Sequence, residues 1–67
     1  NPALEAALAL CDEHKLTYYL DRTRDRHIKL IIEGAKKIVY ISTQSKDPNV
    51  INNVRQDVRH AIRTIGQ

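Results

Sequence analysis

Apolar positions recur at helical spacing near the start of the chain, alternate through its middle and return to helical spacing toward its end. Leu4, Ala7, Leu8 and Cys11 mark the first helix, which Asn1 can cap and Pro2 can open because proline has no amide to leave unpaired. Its alanine-rich sequence favours helix, and the stop is expected near His14-Lys15, without a glycine to mark it. Residues 16–20 then alternate, with Leu16, Tyr18 and Leu20 on one side of a strand and Thr17 and Tyr19 on the other. Residues 21–26, rich in charges of both signs, read as a solvated connection.

Residues 27–33 form the second predicted strand and residues 36–43 the third, with Gly34-Ala35 as a two-residue type II′ turn between them. That turn sets Glu33 opposite Lys36, Leu30 opposite Val39 and Ile28 opposite Ile41, with the last four facing the helices. The other side carries His27 opposite Ser42, Lys29 opposite Tyr40, and Ile31 opposite Ile38, with Tyr19 nearby. Two isoleucines there suggest a partly covered face, either by a second copy through Ile31, Ile38 and Tyr40 or by a further segment of chain, and the ordinary alternative is scattered exposed apolar residues.

The last helix has the clearest period. Asp47 is its expected cap, Pro48 its first residue and Gly66 its stop. Ile51, Val54, Val58, Ala61, Ile62 and Ile65 fall within about a third of a turn, and Asn52, Arg55, Arg59 and Arg63 form the neighbouring stripe. The order α-β-β-β-α with short joins predicts an α+β fold, a three-stranded antiparallel sheet with two helices packed on one face, as a single domain over residues 1–67.

Composition narrows the function more than it identifies it. The chain has 67 residues and one cysteine, Cys11, so no intramolecular disulfide can form, and no Cys/His cluster has zinc spacing. No metal or cofactor is expected. No apolar run is long enough to span a bilayer and no secretory leader is visible, so the expectation is a soluble, cytoplasmic protein without membrane contact. The chain does not begin with methionine, which fits a processed or trimmed product. Glu5, Asp12 and Glu13 outweigh Lys15 in the first fifteen residues, while the remainder is basic and brings the net charge to +3. A basic body favours polyanions, and DNA or RNA is the expected partner.

The candidate phosphate contacts are Arg55, Arg59 and Arg63, at i, i+4 and i+8 on the last helix, with Asn52 one turn earlier, and Arg22, Arg24 and Arg26 in the connection, followed by Lys29. Asp57 is not four residues from any of the three helix arginines, so the row does not neutralise itself. The ordinary alternative is a solvated helix face. His27, beside Arg26 and Lys29, is the candidate general base toward a 2′-hydroxyl; the competing reading is a plain surface histidine. His14 and His60 read as unremarkable helix residues. Cys11 reads as a small core residue, and Tyr19 and Tyr40 as either base-stacking platforms or structural sheet residues. No phosphate-binding glycine loop or paired-carboxylate site is present.

With that element order and Arg26-His27-Ile28-Lys29-Leu30 opening the second strand, the chain resembles the double-stranded-RNA-binding-like fold and, within it, the small HicA-type toxins. The resemblance implies a metal-independent mRNA interferase with His27 as its active histidine and an antitoxin as its partner. HicA-type proteins usually carry Gly-Ser-His, where this chain reads Asp25-Arg26-His27. Double-stranded-RNA-binding modules place lysines at the start of the last helix, where this chain has Asp47-Pro48-Asn49. Residues 27–63 also resemble small phage or mobile-element proteins of this topology, a likeness that implies no activity. The readings carried forward are therefore a nucleic-acid-binding accessory or regulatory domain, a HicA-like ribonuclease, and a homodimeric or host-protein-binding interaction module.

Overall fold

Asn1 opens the chain by accepting from the amides of Ala3 and Leu4 through Oδ1, at 3.0 and 3.3 Å, two of the donors a helix start leaves unpaired. The computed structural model describes residues 1–22, 27–42 and 47–66, which form α1 (Pro2–Glu13), β1 (Tyr18–Arg22), β2 (His27–Ile32), β3 (Val39–Ser42) and α2 (Pro48–Arg63). The three strands make one antiparallel sheet in the order β1-β2-β3. The expected α+β class and element order are those observed.

α1 stops without glycine. The Leu16 amide donates to the Cys11 carbonyl at 2.9 Å and the Lys15 amide to that of Asp12 at 3.0 Å, while Lys15 takes φ +55°. This is the bonding of a Schellman cap with lysine in the left-handed position that glycine usually fills. Leu16, the next residue, packs against the core and begins the descent into β1. β1 is therefore displaced from the expected residues 16–20: Leu16 and Thr17 belong to the exit from the cap, and Asp21 and Arg22, expected in the loop, are strand residues. Thr23 to Arg26, including the candidate contacts Arg24 and Arg26, lie outside the described residues.

β2 pairs with both neighbours. Leu30 lies opposite Leu20 on β1 and Val39 on β3, Ile28 opposite Arg22 and Ile41, and Lys29 opposite Asp21 and Tyr40. Cross-strand partners share a face, so Ile28, Leu30, Ile32, Val39 and Ile41 form the buried side and Tyr19, Lys29, Ile31 and Tyr40 the open one. The expected register between β2 and β3 holds, but the turn differs. The Ala35 amide donates to the Ile32 carbonyl at 3.0 Å and Gly34, with φ +85°, is the third residue of that turn. A positive φ there belongs to a type II turn, not to type II′. β2 accordingly ends at Ile32 and β3 begins only at Val39, so the expected Ile31–Ile38 pair is not part of the ladder.

The connection is instead tied to α2. The Lys36 amide donates to Thr64 Oγ1 at 2.9 Å, and that hydroxyl donates to the Ala61 carbonyl at 2.6 Å. A side chain at Gly34 would meet Ile65 Cγ2 at 3.4 Å, so the turn rests on the end of α2. At the opposite end Asn1 Nδ2 donates to the Ser42 carbonyl at 3.3 Å, and α2 starts shortly beyond, with Asp47 accepting from the Asn49 amide at 2.9 Å and Pro48 following as expected. Both helices thus begin near the Ser42 end of β3 and run the same way.

Their buried rows are narrower than expected on α2 and shifted on α1. Val54, Val58 and Ala61 are buried on α2, flanked by half-buried Val50, Ile51, Ile62 and Ile65. On α1 the fully buried row is Ala3, Ala7 and Cys11, and Leu4 and Leu8 lie on its half-buried flank. Small side chains let the two backbones approach, which moves the contact line off the leucines. The helices pack over β3 rather than β1. Leu20, expected in the core, remains 46% exposed even though it points to the helix side.

Candidate functional site

Among the described residues no polar or charged side chain is buried, so every such group, the thiol of Cys11 aside, lies at the surface. His, Cys, Asp and Glu do not gather there in groups of three, and no helix among those residues is long and apolar enough to cross a membrane. Cys11 is enclosed in the core, where burial, aided by the charge of Asp12, pushes its thiol above the ordinary value. It is packing, as expected, and its neutral form is the one the fold holds.

The arginine row forms as the period predicts. Arg55, Arg59 and Arg63 are exposed along one flank of α2, each separated from the next by about 6 Å of helix rise. Arg55 Nη1 donates to Asn52 Oδ1 at 3.4 Å, and no carboxylate among the described residues pairs with any of the three guanidiniums. Asp57 lies on the other flank of the helix, where its spacing puts it.

The fold adds His14, which spacing along the chain did not single out. It caps the end of α1 and, with Arg59, Ile62 and Arg63, lines an open cleft of about 270 Å³. Arg59 and Arg63 sit toward the carbonyl end of α2, beside that of α1, where positive charge is ordinarily stabilising. Five of those carbonyls already have partners: His14, Lys15 and Leu16 amides take Leu10, Asp12 and Cys11, and Thr64 and Ile65 take Ala61 and Ile62. The guanidiniums are consequently not needed as caps.

The other candidate contacts do not join this row. Lys29 is half-buried on the open face of the sheet, in register with the acidic Asp21 of β1. Arg22 stands opposite Ile28, on the helix side at the edge of the sheet. His27 is exposed at the start of β2, opposite Ser42 and on the same open face as Lys29. The thickness of the fold therefore separates His27 and Lys29 from the arginines of α2, and one flat ligand cannot lie on both.

That open face holds Tyr19, 58% exposed, Tyr40, 54% exposed, and half-buried Ile31, with Ile38 exposed beside β3. Three strands of about five residues cover a flat footprint of roughly 250 Å². Even doubled for surface relief, this is short of the roughly 800 Å² per partner in a standard stable interface. A homodimer through Ile31, Ile38 and Tyr40 would have to recruit surface beyond the sheet. No family model matches the chain, and no curated protein or solved structure proves similar to it.

Proposed function

We propose that this chain is a small cytoplasmic nucleic-acid-binding domain, accessory or regulatory in role, that contacts phosphates through Arg55, Arg59 and Arg63. The observation that carries this reading is the exposed row of three guanidiniums without a carboxylate partner among the described residues. Asn52, hydrogen-bonded to Arg55, extends the same stripe by a turn and offers a neutral contact to phosphate or sugar. The αβββα order accords with the resemblance to double-stranded-RNA-binding modules, although the cations lie farther along the last helix than in those modules.

Fluorescence anisotropy with short duplex DNA, duplex RNA and single strands at several salt concentrations tests it. Three phosphate contacts give a slope of log affinity against log salt near about −2.7 on a duplex. The triple variant Arg55→Gln, Arg59→Gln, Arg63→Gln should flatten that slope toward zero. A salt-independent response, or no binding to any of the probes, would falsify the reading.

A second reading rests on His27, exposed on the open sheet face with Lys29 two residues further along the same side. A HicA-like ribonuclease would use this face, with neutral imidazole taking the 2′-hydroxyl proton, and an antitoxin would cover it. Growth arrest on expression, relieved by His27→Ala, supports it; unchanged growth with the unaltered chain removes it.

A further inference from the structure

We infer that the cleft between the ends of α1 and α2 is a seat for a single phosphoryl group, with His14 supplied by one helix and Arg59 and Arg63 by the other. The choice of phosphate rests on the nucleic-acid reading; the seat itself rests on the geometry. Arg59 and Arg63 are one helical turn apart and both line the cleft, whereas Arg55, the third member of the row, does not. The two guanidiniums present several N–H donors, and the imidazole of His14 lines the same cleft. Ile62 adds the one apolar side chain to the lining.

Size selects the ligand class. A cleft of about 270 Å³ lies just below the range of drug-sized small-molecule sites, enough for a phosphate with part of its attached sugar and too small for a duplex. The carbonyls of Leu10, Cys11, Asp12, Ala61 and Ile62 are taken by the chain's own amides and the Thr64 hydroxyl, so an anion here does not compete with those carbonyls for these donors. The seat thereby converts a linear row into a directional one: one phosphate is held between two helices at the Arg63 end, and the strand continues past Arg55.

Titration of the isotopically labelled chain with inorganic phosphate, adenosine monophosphate and adenosine, followed by amide chemical shifts, tests this. Phosphate and the nucleotide should move His14, Arg59, Ile62 and Arg63 together, and adenosine should move none of them. Arg59→Gln and His14→Gln should each weaken phosphate binding by about tenfold, in line with the loss of a charge-assisted hydrogen bond. Arg55→Gln should leave phosphate binding unchanged while weakening oligonucleotide binding. Shifts spread evenly over all basic residues, or phosphate affinity indifferent to His14→Gln, would overturn the seat. Oligonucleotide binding that needs Arg55 but not His14 would also overturn it and leave the nucleic-acid reading intact; phosphate bound in the cleft without any oligonucleotide binding would do the opposite.

Discussion

Asn1-Pro2 and Asp47-Pro48 start α1 and α2 with the same device, a side-chain acceptor followed by a residue that has no amide proton. Beyond that first turn the helices part. α1 buries Ala3, Ala7 and Cys11 and carries half-buried leucines on both flanks, Leu4 and Leu8 on one and Leu10 on the other. α2 buries Val54, Val58 and Ala61 and gives a broad outer surface to polar and charged residues. A helix that is apolar on several sides serves packing, and its small buried row sets how near its neighbour comes. A helix with one apolar stripe has surface left over for a ligand, and the arginines occupy it.

The largest test of this contrast is on the small row. Ala7→Leu forces a large side chain into a fully enclosed position and should cost about 3 kcal/mol, the upper range for overpacking. A domain of this size rarely nets more than about 3–5 kcal/mol from its core, so the variant should be largely unfolded by circular dichroism. Leu8→Ala, on the half-buried flank, should cost only about 1 kcal/mol. Equal losses at the two positions would show that the leucines, not the small residues, set the helix contact.

The shared start and different stops come next. Asp47→Ala and Asn1→Ala should each cost about 1 kcal/mol in urea unfolding, because each removes a side-chain acceptor from the first turn. Lys15→Gly should act in the other direction, stabilising by about 0.5–1 kcal/mol through relief of the left-handed strain at φ +55°. No equivalent gain exists at the end of α2, where Gly66 already takes φ +82°.

The smallest effect concerns the buried thiol. Because burial raises the Cys11 thiol above its unfolded value, its contribution to stability is complete below that unfolded value and is lost as pH rises through the folded one. Stability measured from neutral to alkaline pH should fall more steeply in the unaltered chain than in Cys11→Ala, whatever offset the substitution adds at neutral pH. Parallel alkaline limbs would place the thiol in contact with solvent.

Local chemistry was legible where one residue dictates its own surroundings. Both helix starts and the apolar stripe and arginine row of α2 follow from capping and from helical period, which act over a few residues; the Ile28–Ile41 and Leu30–Val39 register came out as expected although the turn it was drawn from is of another type. The stop of α1 was less legible, since lysine seldom takes a left-handed position and only the fixed bonds of the cap hold Lys15 there. The turn after β2 is not the one its sequence suggests, since Thr64 and Ile65, about thirty residues away, hold it against the end of α2. Packing over β3 decided that Leu20 stays half-exposed and that Ala3 is enclosed. It also brought His14 to Arg59 and Arg63 across more than forty residues of chain. Such neighbours are chosen by the shape of the packed helices, a property of the whole fold that no window of sequence contains.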